Sequence, residues 1–386
     1  MTKETNSRIL ALDVLRGITI AGMILVNNPG SGQYIFAPLE HAEWIGVTPT
    51  DMVFPFFMFI MGFSMFLSLR KFDFRLTPSS AWKVVRRTIL IFLIGLLLTW
   101  MWIFVDGWVG SADSGLGFFQ RLFQSAFDFS HLRIMGVLQR LALAYGLSAF
   151  IILTMRSRRL LWIAAALFAV YFCILLVGNG FVNSQESVLY RFDVAVMGAN
   201  HLWDGDIIDP EGLLGTIPSV AHVLLGFCAA RLAMTKASLA ERIEVLFVYG
   251  TVLLLAGMLL SYGCPISKKI WTPTFSLFTC GLASSLLALL AWVIDGRGWH
   301  RWSFPFQVFG VNPLFLYALS GVMAVLFTFV YVPVAGSPSI HDWLYQSLMA
   351  PVFGNYGGSV GYALLFVLLN GMVGYILYKK KIYIKV

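Results

Sequence analysis

The stretch His41–Leu69, HAEWIGVTPTDMVFPFFMFIMGFSMFLSL, passes within a few residues from a polar connector into an apolar run. The connector holds one of only 6 histidines in the chain, with Glu40 before it and Glu43 and Asp51 after it. From Met52 to Leu69 no charged residue occurs. A run of that length crosses about 30 Å of hydrocarbon as an α-helix. A barrel strand would alternate polar and apolar positions over about ten residues, and this run does not. The stretch therefore reads as an extramembrane loop feeding a transmembrane helix.

The rest of the chain repeats that pattern. Of 386 residues, 59% are hydrophobic and 12% charged. An ordinary soluble domain carries roughly 25% charged residues, so this chain has too few to cover a water-exposed surface. Ten segments are long and apolar enough to span: 9–28, 49–69, 84–105, 132–154, 160–178, 212–230, 245–263, 272–294, 304–331 and 359–378. The expected architecture is all-α: a polytopic bundle of about ten transmembrane helices forming one domain over 1–386. No internal repeat, soluble domain or low-complexity linker interrupts it.

Charge sets the expected orientation. With the N-terminus in the cytoplasm, 20 of 27 Lys and Arg residues fall inside: Lys3 and Arg8, six between Arg70 and Arg87, three between Arg156 and Arg159, three between Arg231 and Arg242, Arg297 and Arg301, and four from Lys379 to Lys385. That bias predicts cytoplasmic termini. The formal charge of +8 is then a topology signal, and no basic stripe with interleaved aromatics suggests nucleic acid. The four cysteines form no CxxC pair, which predicts neither a disulfide framework nor a metal site. The N-terminus lacks the pattern of a cleavable signal, because Asp13 and Arg16 interrupt its apolar region. The segment SIHDWLYQSLMAPVF, 339–353, suits a short interfacial helix with Trp343 and Tyr345 at headgroup level.

Ionisable residues inside apolar spans are costly and mark candidate sites. LDVLRGI puts Asp13 and Arg16 on one helix face, either as an ion pair that lets the helix insert or beside an anionic ligand. HLRIMGVLQRLALAY puts Arg133 and Arg140 two turns apart, with a bundle-locking hydrogen-bond network as the plainer role for Arg140. DIIDPEGLLGTIPS sets Asp209 and Glu211 at a helix start, where acids also simply complement the macrodipole. His41 has carboxylates near enough to fix its tautomer and tune its basicity. No H-E-x-x-H or G-x-S-x-G motif supports zinc or serine hydrolysis.

Seven collinear blocks give a resemblance: LDVLRGITIAGMILVNN, HAEWIGVTPTDMVFPFFMFIMGFSMFLSL, LRIMGVLQRLALAY, IDPEGLLGTIPSVAHVLLGF, PISKKIW, FGVNPLFLYAL and ILYKKKIYIKV. In these the chain resembles the catalytic membrane domain of heparan-α-glucosaminide N-acetyltransferases, as a bacterial-type member with a ten-helix core. The resemblance implies an inner-membrane enzyme moving acetyl from cytoplasmic acetyl-CoA, without a metal, to the amine of a terminal glucosamine or similar amino-sugar glycan outside. It implies His41 as acetyl acceptor or general base and Asn27 as its catalytic partner. It sets the family's Arg, Glu and Lys on Arg140, Glu211 and Lys268; beside these, the charges predict Asp13 and Arg16 with Arg140 on the cofactor, and Asp209 with Glu211 and Lys268 on the acceptor. The bilayer is the surrounding partner, and small-residue faces at Gly371 and Gly374 permit a homodimer. A secondary transporter of a small anionic or sugar substrate is the alternative, kept open by breaks such as GVNPLF.

Overall fold

The computed structural model describes residues 9–112, 114–334 and 336–384. Lys3, Arg8 and Lys385, counted above toward the cytoplasmic charge, lie outside the described residues. Among the described residues the chain is helical and contains no β-strand, only two isolated bridges. Nine helices among the described residues are long and apolar enough to cross a membrane, ten if one bent pair counts as a single span. It is a multi-pass membrane protein.

Apolar runs become helices here because lipid offers backbone groups no partner. Helix α1 covers Leu10–Asn27, α2 Pro49–Leu69, and α3 Pro78–Gly110. A short α4, Phe118–Ala126, folds back on α3 before α5, Val137–Thr154, and α6, Leu160–Val177. A second short helix, α7, Val188–Met197, precedes α8, Thr216–Met234, and α9, Leu239–Leu260. Helix α10, Pro273–Leu290, ends in a widened turn, Ala291–Gly296. The long segments thus sit where the apolar runs predict them. Helices α4 and α7 fall in stretches that read as loops.

The segment 304–331 departs from a straight span. It forms α11, Phe304–Val311, and α12, Pro313–Phe329, bent by 76°. Pro313 has no N–H to continue the helix, and its ring disfavours helical geometry at Asn312. Asn312 stands at φ −124° and ψ 55°, and its side chain binds the carboxy-terminal backbone: Nδ2 donates to Ile382 O (2.9 Å) and Oδ1 accepts from Ile384 N (2.8 Å). The segment 339–353 is largely helical as expected: α13, Ile340–Asp342, runs through a wide turn, Trp343–Met349, into α14, Ala350–Lys379, with Tyr345 buried rather than outward. Gly354, at φ 71°, kinks α14.

Hydrogen bonds stitch the loops at each end of the bundle. At one end Leu76 N donates to Leu153 O (3.0 Å), and Arg231 reaches the Ser157 carbonyl. At the other, Trp44 Nε1 donates to Phe181 O (3.0 Å), Gly46 N to Ile266 O (2.8 Å) and Gly30 N to Ser359 O (3.1 Å). Alternating helices carry every connector with an inside assignment to the first end and the connectors holding His41, Glu211 and Lys268 to the second.

Candidate active site

The second end holds a cavity of about 390 Å³. Its walls come from the end of α1, the loop before α2 and that helix's start, the first residue of α5, and the loops before α8 and α10. Asn27, His41, Asp51, Trp203, Glu211 and Lys268 all line it. Five segments far apart in sequence thus converge on one volume.

The second helix builds the histidine's support. Pro49 occupies its first turn and Asp51 its third position, and Asp51 forms a capping box with Thr48. Asp51 Oδ2 accepts from Thr48 N (3.0 Å), Thr48 Oγ1 (3.2 Å) and Ala42 N (3.0 Å). Asp51 is fully buried. Its other oxygen, Oδ1, lies 2.6 Å from His41 Nδ1, while the imidazole itself is 48% exposed. A carboxylate held this way favours the tautomer with the proton on Nδ1, which leaves the Nε2 lone pair for chemistry. Of the three acids around His41 in sequence, the structure makes Asp51 its partner.

Lys268 arrives from the hairpin PISKKIW. Gly46 N anchors that hairpin through Ile266 O, and Trp271 N closes it on Lys268 O (3.0 Å). Trp271 itself is buried in the left-handed region at φ 48°, a strained state for a bulky side chain. The outcome is that Lys268 Nζ stands 3.0 Å from His41 Nδ1, 3.3 Å from Nε2 and 3.6 Å from Asp51 Oδ1. Burial pulls the Lys268 ammonium below its ordinary pKa, and Glu211 and Asp51 only partly restore it.

The turn before α8 forms a second charged unit. Arg133 grips Asp209 with two bonds, Nε to Oδ2 (3.1 Å) and Nη2 to Oδ1 (2.6 Å), and reaches Glu211 Oε2 at 2.7 Å. Asp209 also accepts from Glu211 N (2.8 Å) and Trp203 N (3.0 Å). Burial alone would raise the Glu211 carboxyl, but Arg133, Arg140 and Lys268 outweigh it and hold its pKa below the usual value. Asp209 is thus the internal brace of the turn, and Glu211 is the acid facing the cavity.

The other expected site residues divide. Asn27 is exposed on the cavity, whereas the amide of neighbouring Asn28 donates to Ile24 O (2.7 Å). Arg140 is buried, its guanidinium donating to Pro210 O (2.8 Å) and Gly212 O (2.6 Å) 5.4 Å from the Trp271 ring. That geometry makes Arg140 a clamp on the Glu211 turn rather than a residue open to a cofactor. Asp13 and Arg16 lie toward the opposite end, with Arg16 Nη1 on Asp13 Oδ1 (3.0 Å) and Nη2 on Ser64 Oγ (2.8 Å). About 16 Å of helix separates Arg16 from Asn27, so the structure does not bring Asp13 and Arg16 together with Arg140. Sequence reasoning missed Trp203, whose ring lies 5.8 Å from the Arg133 guanidinium and lines the cavity. Its one signal was a Trp beside the acid-rich loop. Lys269 also lines the cavity and pairs with Asp206.

Fold and site together define a multi-pass, all-helical membrane protein with a carboxylate-backed imidazole in an end cavity. Two curated proteins align with the chain. Heparan-alpha-glucosaminide N-acetyltransferase of Mus musculus is 25% identical over 457 residues, covering 100% of this chain and 61% of its own length. The Homo sapiens protein of the same name is 26% identical over 441 residues, covering 98% and 60%. The chain is similar to these proteins over nearly its whole length. It spans about three fifths of the length of the curated relatives it matches. No family model matches it.

Proposed function

We propose that the protein is a membrane N-acetyltransferase that passes acetyl from acetyl-CoA to the amine of a terminal glucosamine or similar amino sugar. One observation carries the reading: His41 is held by buried Asp51 at 2.6 Å and opens into a cavity that also contains Asn27, Glu211 and Lys268. An amine must lose a proton to accept acetyl, and an imidazole with an unprotonated Nε2 can take that proton or take the acetyl first. Asn27 donates to the oxyanion that develops on the carbonyl, a contribution typically worth about 3 kcal/mol. Glu43 and Glu211 supply negative charge to draw in an ammonium, and Trp203 offers a flat face to a sugar ring. Asp209, braced on Arg133, keeps the acceptor side in shape.

The charge asymmetry supports a cytoplasmic location for both termini and an extracytoplasmic one for the cavity, in a bacterial inner membrane. Acetyl-CoA then approaches from the Arg16 end. Leaving its phosphates there avoids their transfer through hydrocarbon, which costs kcal/mol per charge. Arg16, supported by Asp13, is suited to meet one of them. The bend between α11 and α12 favours a second reading, a transporter with a broken helix at its substrate site. Against it, the Asn312 side chain at that break is taken up by the carboxy-terminal backbone.

The test is turnover of labelled acetyl-CoA by the purified protein with and without glucosamine. Acceptor-dependent release of CoA is expected, and His41→Ala should abolish it while CoA binding persists. Absence of turnover together with absence of CoA binding would overturn the reading in favour of transport.

A further inference from the structure

The charged groups around His41 set up a competition that the reaction itself does not need. Lys268 Nζ is 3.3 Å from Nε2 and 3.0 Å from Nδ1 of His41. An acetyl group delivered to Nε2 would be bonded to an atom 3.3 Å from Nζ, next to the roughly 3–3.5 Å range at which a positioned amine attacks a carbonyl. Lys268 is also anchored: its hairpin is tied to the His41 loop through Gly46 and Ile266, and its side chain is 15% exposed. An external sugar amine has to diffuse in; this amine is already present.

We propose that Lys268 is a self-acetylation site, modified when an acetyl thioester is present and no amino-sugar acceptor fills the cavity. The inference rests on the acetyl-transfer reading. In the step, the neutral Nζ lone pair attacks the acetyl carbonyl. A C–N bond forms while the bond from that carbon to its leaving atom breaks: the thioester sulfur in direct transfer, or His41 Nε2 after a first transfer. The proton lost by Nζ goes to that leaving atom. The product is an amide, too stable to pass acetyl onward. Modification therefore ends turnover, because the cation that faced Asp51 and Glu211 becomes a neutral, bulkier group in the cavity.

The same surroundings restrain the reaction. Lys268 attacks only when deprotonated, and the groups facing it oppose one another. Asp51 and Glu211 favour its ammonium form, burial and Arg140 disfavour it, and His41 lies in direct contact. Neighbouring Lys269 is engaged by Asp206 and is the internal control. An occupied acceptor site protects Lys268 by consuming the acetyl group.

The experiment incubates the full chain in nanodiscs with acetyl-CoA alone, then maps acetyl-lysines by peptide mass spectrometry and measures residual turnover on glucosamine. Stoichiometric acetylation of Lys268, with Lys269 and Lys83 unmodified, is expected, and activity should fall in parallel. Glucosamine added at the start should suppress the adduct at least tenfold. The rate should rise about tenfold per pH unit while the amine is mostly protonated. Lys268 left unmodified after acetyl-CoA alone, with full turnover once glucosamine is then added, or equal labelling of Lys269 and Lys83, would overturn the self-acetylation and leave the enzyme reading intact. Acetyl-CoA that labels neither glucosamine nor Lys268 would overturn both.

Discussion

Asp51 Oδ1 sits 2.6 Å from His41 Nδ1, and the other oxygen of that carboxylate is consumed by Thr48 and Ala42. The pair is therefore directional. The helix cap that starts α2 also favours the proton on Nδ1 of the imidazole. Asp51→Asn keeps the size of the side chain but can present an N–H to Nδ1, which turns the ring toward the wrong tautomer. Turnover with acetyl-CoA and glucosamine should fall by about 10²–10⁴-fold, while CoA binding stays near wild type. Steady-state kinetics beside a CoA-binding isotherm checks this.

Arg133 binds two carboxylates that the fold has taken out of water. Its removal strands both Asp209 and Glu211. Arg133→Ala should cost roughly 3–5 kcal/mol, the usual penalty for leaving a buried charge unpaired. Arg133→Lys should recover only part, because an ammonium cannot match the two-bond grip on Asp209. Thermal unfolding in detergent reports both.

Glu211 gives the acid limb of stability. Its folded pKa is held below 4.5, its ordinary value. The stabilisation is therefore present above that pH and is lost as pH falls from about 4.5 through the lower folded value. Tm of the wild type should drop across that acidic range. Glu211→Gln should start with a lower Tm at neutral pH and show a shallower drop. A pH series of melting curves for the two proteins measures the difference.

Helices α1 and α11 touch through glycines. A Cβ at Gly17 would lie 1.7 Å from the carbonyl oxygen of Phe306, and one at Gly310 would lie 2.0 Å from that of Asp13. The clash is with backbone, so the helices must separate. Gly17→Ala should destabilise by about 1–3 kcal/mol or more. It should also disturb the Arg16 bond to Gly310 O, so affinity for CoA should fall with Tm.

The spans were legible in the sequence because a lipid environment writes a simple pattern: long apolar runs closed by charge. Met52–Leu69 needs no partner to be read as helix. The bend at Asn312–Pro313 had its local signal in proline. Helices α4 and α7 did not, because nine or ten residues with mixed polarity look like loop until they are seen packed. At the site, His41 and its nearby acids were visible together, but choosing Asp51 over Glu40 and Glu43 required the capping geometry of α2. Lys268 was named as an acceptor residue; its contact with His41 spans 227 positions, and no local rule carries such a distance. Trp203 stayed hidden for the same reason. Arg140 showed the reverse problem: its depth in an apolar segment was plain, while the carbonyls of Pro210 and Gly212 that occupy it belong to a distant turn.

Helix α3 has 33 residues, about 50 Å of rise against roughly 30 Å of oil. Where it overshoots, α4 doubles back and turns Phe118, Phe119 and Phe123 outward. Rings of that kind come to rest where acyl chains give way to headgroups, so the hairpin works as a float line. Such a hairpin is suited to mark how deep the molecule rides, at a level set by rings rather than by charge.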